Sequence, residues 1–542
     1  MTVKPFAITL EIGSSLANKT GSWRVERPVY VDRLPPCSNA CPAGENIQQW
    51  LYLAEDGSYE AAWRQIMRDN PLPAVMGRAC FHPCQTACNR AAVDETVGIN
   101  AMERFLGDRA LSEGWSPEPA GPATGKRVLV VGSGPGGLSA AYHLRLLGHE
   151  VVVYESSPLP GGMMRYGIPS YRLPREIVEG EVARIESMGV RIVCGRTVDD
   201  LEATMRDEGF DAAFLAVGAQ RGKHADIPAG DSARILDAVT LLHDTEDHEP
   251  PALGRRVVIY GGGDTAMDAA RTARRLGAED AVVVYRRTRE RMPANVEEVQ
   301  DAVDEGVRLK WLSTIVGTEG DVLTIERMEL DADGFPQPTG EIEELRADTV
   351  VLALGQEADL SLLATIPEVN VADGVVAVGA DMMTARPGIF AGGDIVAGAR
   401  TLTDAIGHGK RAARAMDAWM AGHTLERPAR HALATPEHLN TWYYADAPHA
   451  VRPRLDAARR TSTFDEVVGG LDESTALFEA RRCMSCGNCF QCDNCFGVCP
   501  DNAVMKVDEA HGYRFNYDFC KGCGLCVQEC PCGAIEMVPE ES

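Results

Sequence analysis

The sequence is short of positive charge. Its 53 lysines and arginines are outnumbered by 79 aspartates and glutamates, giving a formal net charge of −26. Phosphate backbones bind to basic faces, so this balance argues against nucleic acid as a partner. Its plain consequence is solubility. Long apolar runs are also missing. No stretch reaches 18 consecutive apolar residues, so no transmembrane helix and no membrane insertion are expected. Residues 1–23 lack the apolar core of a secretory signal, which leaves the cytoplasm as the expected location. Cysteine is nearly absent from the middle of the chain. Sixteen of the 17 cysteines lie within residues 37–88 or 483–532, and only Cys194 lies between. Such clustering excludes a general disulfide framework and points to metal ligation in a reducing compartment. Low-complexity tracts are lacking as well.

A length of 542 residues is too great for one hydrophobic core. Residues 1–30 show little periodicity and read as an extended arm. Residues 31–122 combine cysteines with helical patterns. Ile47, Trp50, Leu51 and Ala54 recur at helical spacing, as do Tyr59, Ala62 and Ile66. A Pro/Gly-rich linker covers 115–125. Strand-like runs then alternate with helical patterns, the signature of parallel α/β domains. The expected fold is α/β, with two Rossmann-like dinucleotide-binding domains. A helical iron–sulfur domain precedes them and a ferredoxin-like domain follows. The expected bounds are 1–30 for the arm, 31–122 for the helical domain, 123–250 with 360–424 for the first dinucleotide domain, and 251–359 for the second. A connector at 425–480 leads to the ferredoxin-like domain at 481–542.

The first dinucleotide unit opens with the strand RVLVV at 127–131. Gly132, Gly134, Pro135, Gly136 and Gly137 follow in a GxGxxG turn, and a helix closes at Gly148. Gly132 permits the tight turn, Gly134 lets backbone approach a pyrophosphate, and Gly137 lets helix and strand pack closely. Free N–H groups at the helix start suit phosphate. Glu155 ends the next strand, where it can accept hydrogen bonds from ribose hydroxyls.

The second unit repeats the pattern as Gly261, Gly263, Asp264, Thr265 and Ala266, a GxGxxA turn after the strand RVVIY. Its second strand runs into Arg286 and Arg287, where an NAD site usually carries an acid. With Arg291 nearby, these guanidinium groups suit the 2′-phosphate of NADP. They also fit a solvated patch, or stacking on the adenine of NAD.

The last cysteines repeat one spacing. Cys489, Cys492, Cys495 and Cys499 are followed by Cys520, Cys523, Cys526 and Cys530, and a proline follows each run. This is the pattern of two-cluster ferredoxins, in which the fourth cysteine of each run crosses to the other cluster. One [4Fe–4S] cluster then takes Cys489, Cys492, Cys495 and Cys530, and the other Cys520, Cys523, Cys526 and Cys499. Cys483 and Cys486 extend the first run backwards with no assigned role. Cys532 is expected to pack beside a cluster. Near the N-terminus stand Cys37, Cys41, Cys80, Cys84 and Cys88, enough for one cluster and not two. Zinc is the competing reading, although no histidine pairing accompanies these thiols.

Residues 161–169 (GGMMRYGIP) and 285–294 (YRRTRERMPA) resemble the small subunit of glutamate synthase. They are also similar to matching domains of dihydropyrimidine dehydrogenase and of the NADH-dependent ferredoxin:NADP transhydrogenase. The resemblance covers about residues 36–420. It implies FAD in the first unit and NAD(P) in the second. Gly162 and Met163 fall in one shared motif. Gly393 and Asp394 fall in a late FAD motif, GIFAGGD, whose acid contacts the ribityl chain. Relatives often hold two N-terminal clusters, using a CxxC upstream of Cys37 that this chain lacks. In the family a Gln or Glu from a later helix can complete one cluster. Glu103 sits at the matching place, giving Cys41, Cys80, Cys84 and Glu103. An all-cysteine set with Cys37 or Cys88 is the rival, and three [4Fe–4S] clusters in all is the expectation. The C-terminal tail resembles the ferredoxin-like part of 2-oxoacid:ferredoxin oxidoreductases.

The core holds no CxxC of the disulfide-reductase kind, and Cys194 reads as a small hydrophobe. No general acid or base stands out, so no catalytic residue is assigned. NAD(P)H gives up two electrons as hydride while a cluster accepts one, so a flavin must stand between them. The expected role is an electron-transfer subunit linking NAD(P)(H) to a 2-oxoacid oxidoreductase-type complex, in a hetero-oligomer. The alternatives are a glutamate synthase small subunit and a freestanding ferredoxin:NAD(P) reductase.

Overall fold

The computed structural model describes residues 19–222, 234–247, 250–425, 429–507 and 512–540. Two parallel five-stranded sheets carry the middle of the chain. The first runs Ile389–Ala391, Ala212–Leu215, Arg127–Val131, Glu150–Tyr154, Arg191–Val193 across its width. Val128–Val130 and Val151–Val153 are all but fully buried. Both faces are covered, so these strands read as continuous apolar runs rather than alternating ones. The helix Pro135–Leu146 packs against the helix Leu402–Met420, which comes from far along the chain. Their approach is close: a Cβ on Gly409 would come within 2.3 Å of the Gly136 carbonyl.

The second sheet runs Arg308–Lys310, Asp280–Val284, Arg256–Gly261, Thr349–Ala353, Arg234–Asp237. An antiparallel meander, Ser313–Glu319, Val322–Leu330 and Pro336–Arg346, covers one face. Ile315, Leu323 and Ile325 pack there on Val258, Val282 and Val350. The helix Asp264–Arg275 covers the other face through Ala266, Met267, Ala270 and Ala273.

The expected boundary at residue 251 falls inside this second unit. Arg234–Asp237 pairs with Thr349–Ala353, and the helix Ala238–Asp247 follows it. That strand precedes the glycine turn and carries no motif of its own, so only its long-range pairing reveals where it belongs. Arg221–Gly222 and Gln356–Glu357 pair antiparallel where the chain crosses between the units.

The N-terminal domain is helical, with helices at Pro36–Ala40, Ile47–Glu55, Tyr59–Met67, Pro73–Ala79, Pro83–Thr86 and Ile99–Glu113. Trp50 and Trp63 are wholly buried, and so are Ala54, Ala62 and Ile66 at the helical spacing expected of them. The connector is a strap over this domain. Arg78 donates to Glu466 at 2.8 Å, and Arg452 to Asn100 at 3.1 Å.

Residues 1–18 of the expected arm lie outside the described residues. Glu26–Tyr30 forms an antiparallel strand with Ile535–Pro539, at the opposite end of the chain. Arg24 donates to Glu540 and Arg33 to Glu536, each at 2.7 Å. This part of the arm thus completes the chain's own C-terminal domain. Among the described residues no helix is long and apolar enough to cross a membrane.

Candidate active site

A cavity of about 710 Å³ opens between the two dinucleotide units. The first unit lines it with Gly132, Gly134, Pro135, Gly136, Glu155, Gly162, Met163, Gly393 and Asp394. The second contributes Asp264 and Thr265, and the helical domain contributes Ala79 and Phe81. Three parts of the chain therefore meet on one space.

The glycines of the first turn do different work. A Cβ on Gly137 would lie 1.9 Å from the Gly132 carbonyl, so only glycine lets the helix start this close to the strand. At Gly134 an added Cβ meets no protein atom within 4 Å. That side faces the cavity, and the free approach suits a pyrophosphate. Glu155 is 3% exposed. Its carboxylate accepts from the Ser133 N–H at 2.9 Å, the Ser133 hydroxyl at 2.6 Å and the Ser157 N–H at 2.8 Å. These donors fix an anionic acceptor at the end of the second strand.

Asp394 sits on the turn Gly393–Ile395. Burial raises its carboxyl to about 6, against the pull of nearby Arg400. The Gly393 N–H donates to His408 Nδ1 at 3.1 Å. The other ring nitrogen of His408 then carries the proton when the ring is neutral. Burial favours that state by lowering its pKa.

In the second loop, Gly263 also has no protein atom within 4 Å of an added Cβ. Ala266 is fully buried behind it, and Gly261 sits under Ala353. The Asp264 carboxylate accepts from the Asn295 N–H at 2.8 Å. Arg286 and Arg291 are exposed and Arg287 is half-buried. None lines the cavity. They follow the strand Asp280–Val284, and the Ala294 N–H donates to the Gly262 carbonyl at 3.1 Å. The arginines thus border the second glycine loop from outside.

Sequence reasoning missed Arg172, which lines the cavity from the first unit. Its guanidinium meets Asp268 at 2.7 Å and Glu298 at 2.6 Å, both in the second unit. This buried ion-pair group ties the units together across the cavity. No motif could have signalled it, because its members come from three separate segments.

Beside the cavity stand the first cysteines. Cys80 lies between the lining residues Ala79 and Phe81. It accepts from the Thr403 hydroxyl at 3.0 Å and the His82 N–H at 3.2 Å. The structure gathers Cys41, Cys80 and Cys84 with Glu103. Cys37 and Cys88 face a different, neighbouring cavity. A second acid, Glu45, joins the group and was not foreseen. Asn70 donates to Glu45 at 3.0 Å and to Glu103 at 2.7 Å. Burial and the facing Glu45 push the Glu103 carboxyl well above its ordinary range. Burial also lifts the Cys80 thiol to about 12. Metal binding would displace these protons. The His82 ring turns away toward Glu297 at 3.5 Å.

At the other end, Cys489, Cys492, Cys495 and Cys530 line one small cavity, and Cys532 lies beside them. Cys499, Cys520, Cys523 and Cys526 line another. The fourth cysteine of each run thus crosses to the other group. Cys194 is half-buried at the end of the strand Arg191–Val193, far in sequence from any other cysteine.

Residues 126–417 match the pyridine nucleotide-disulphide oxidoreductase family. The chain belongs to that family. Residues 26–115 match dihydropyrimidine dehydrogenase domain II, 4Fe-4S cluster, and residues 488–534 match the 4Fe-4S dicluster domain. The chain is 35% identical over 497 residues to NADP(+)-dependent formate dehydrogenase subunit beta of Moorella thermoacetica, covering 83% of this chain and 70% of the relative. It is 32% identical over 527 residues to NADPH-Fe(3+) oxidoreductase subunit beta of Geobacter sulfurreducens, covering 85% and 77%. Against the glutamate synthase [NADPH] small chain of Escherichia coli it is 32% identical over 418 residues, covering 71% and 89%. The chain is an NAD(P)-dependent flavin and iron–sulfur oxidoreductase of this family, although its dinucleotide units lack a cysteine pair.

Proposed function

We propose that the chain is the NAD(P)-reacting subunit of a hetero-oligomeric oxidoreductase, passing electrons between a nicotinamide dinucleotide and iron–sulfur clusters. One observation carries this reading. Both glycine loops and the residues flanking Cys80 border the same cavity. A donor held by one loop and a carrier held by the other would meet beside a cluster ligand.

In this account Gly132, Gly134, Pro135 and Gly136 seat the FAD pyrophosphate at a helix start. Gly137 is the packing glycine beneath them, and Glu155 holds the ribose. Gly162 and Met163 border the flavin, while Gly393 and Asp394 meet the ribityl chain. Gly261, Gly263, Asp264, Thr265 and Ala266 form the NAD(P) loop. Arg286, Arg287 and Arg291 stand where a 2′-phosphate would lie. Cys41, Cys80, Cys84 and Glu103 hold one [4Fe–4S] cluster, and the eight C-terminal cysteines hold two. FAD, when bound, supplies the exchange between two-electron hydride and single-electron transfer. The protein's own part is to align the partners and to keep water from the cavity.

The partner is the open half of the reading. Named relatives serve formate, Fe(3+) and glutamate chemistries. A 2-oxoacid partner rests on the ferredoxin-like tail alone. Anaerobic isolation of the native assembly, with mass spectrometry of its chains, tests the subunit reading. Co-isolation of a dehydrogenase chain for formate or a 2-oxoacid supports it. A large amidotransferase chain would make it a glutamate synthase subunit. A chain isolated alone and active with ferredoxin would overturn it.

A further inference from the structure

We propose that Cys37, Cys88, Cys483 and Cys486 together hold a further [4Fe–4S] cluster, assembled from both ends of the chain. This deepens the electron-transfer reading, on which it rests for its role but not for its existence.

The four thiols line one small cavity, closed by Leu51, Ile99 and Met484. Two other small cavities in the molecule are lined in the same way by four or five cysteines, and those are the two ferredoxin-type sites. Cys483 and Cys486 have the C-x2-C spacing of those sites. Pro35 and Pro36, which immediately precede Cys37, line this same cavity, so the CxxC that faces Cys37 there comes from the far end of the chain.

The segment that carries the new pair is firmly held. Arg482 donates to the Ala447 and Thr96 carbonyls at 2.9 Å and to Glu479 at 2.7 Å. Gln48 donates to Ser485 at 3.2 Å. The Gly487 N–H donates to Cys532 O at 2.6 Å, and Gly487 O accepts from the Arg33 N–H at 3.0 Å. Arg90 lines the cavity and donates to Arg482 O at 3.3 Å, which places cationic groups beside a site that would carry negative charge.

The site also has a place in the sequence of carriers. Cys37 lies one helical turn from Cys41, and Cys88 lies four residues from Cys84. Cys486 lies three residues before Cys489, a chain reach of no more than about 11 Å. The new site therefore lies between the cavity-side group and the ferredoxin-like pair. Loading it by ligand exchange from a thiolate-ligated [4Fe–4S] donor breaks four S–H bonds here and four Fe–S bonds in the donor, and forms four new Fe–S bonds. The four protons pass to the donor's released thiolates, and no oxidation state changes.

The test is iron, acid-labile sulfide and zinc per chain in the full-length protein, purified and reconstituted anaerobically, with FAD content read alongside. The parent should hold about sixteen irons, from four clusters of four. The double variant Cys483→Ser/Cys486→Ser should lose roughly a quarter of them and one set of EPR signals, as should Cys37→Ser/Cys88→Ser. A parent with about twelve irons overturns the proposal, and so does a folded variant with unchanged iron. One zinc per chain that is lost in either variant overturns it as well. If a variant fails to fold, the parent's count decides alone. Absence of FAD from the parent would instead count against the flavoprotein reading and leave the iron count to judge this site.

Discussion

The Thr403 hydroxyl donates to the Cys80 sulfur at 3.0 Å, joining the helix that backs the first dinucleotide unit to a proposed cluster ligand. Their sequence neighbours Leu402 and Ala79 both line the central cavity. A donor on a cluster sulfur favours the reduced, more negative state. Thr403→Val keeps the shape and removes the donor. A hydrogen bond worth about 1 kcal/mol corresponds to about 40 mV for one electron. An anaerobic redox titration followed by EPR should find one cluster lowered by roughly that amount, with the ferredoxin-type pair unmoved. Unchanged potentials would remove Cys80 from the ligand set.

Gly263 offers a test that separates folding from nicotinamide binding. An added side chain there meets no protein atom within 4 Å. The variant Gly263→Val should fold, retain FAD, and lose reduction by NAD(P)H, with KM raised on the order of tenfold or more. Stopped-flow absorbance of the flavin reads both effects. A variant reduced as readily as the parent would move the nicotinamide elsewhere.

Arg286 and Arg287 set the coenzyme preference if they hold a 2′-phosphate. Charge-assisted bonds of about 1.5–3 kcal/mol are at stake. Replacing both with alanine should lower kcat/KM for NADPH by roughly 10- to 100-fold and leave NADH little changed. An equal effect on both coenzymes would assign the arginines to a solvated patch.

His143 gives the fold an acid limit. It is wholly buried in the helix Pro135–Leu146, within 2.8 Å of Ser139 O, and Lys410 and Arg414 stand nearby. Burial first, then these two cations, lowers its pKa to about 4. The unfolded chain takes up the proton near pH 6.5, whereas the folded chain resists until about pH 4. The contribution of His143 to stability is therefore complete above pH 6.5 and falls by about 3 kcal/mol as pH drops to 4. Thermal denaturation at pH 7.5 and 5 should show a smaller pH effect in His143→Gln than in the parent. Equal slopes would mean that other groups set the acid limit.

What the sequence showed plainly was contiguous. The turn at Gly132–Gly137, with its strand and helix, occupies one short stretch, and so does each C-terminal cysteine run. The crossing of Cys499 and Cys530 was also readable, because runs with this spacing exchange their fourth cysteines in two-cluster ferredoxins. Contacts between distant segments could not be read. Glu45 and Glu103 face each other with Asn70 donating to both, and Arg172 meets Asp268 only when the two units dock. The strand Arg234–Asp237 is defined by pairing with Thr349–Ala353, and Glu26–Tyr30 by pairing with Ile535–Pro539. Neither stretch carries a local pattern that names its partner.

The central claim is that electrons pass between the nicotinamide and the clusters within this chain. The most direct measurement is to reduce the clusters photochemically under anaerobic conditions, add NAD(P)+, and follow the cluster EPR signals together with NAD(P)H absorbance. The account predicts that the signals fade as NAD(P)H forms, with two electrons lost from the protein for each NAD(P)H. Clusters that stay reduced beside bound NAD(P)+ would contradict it.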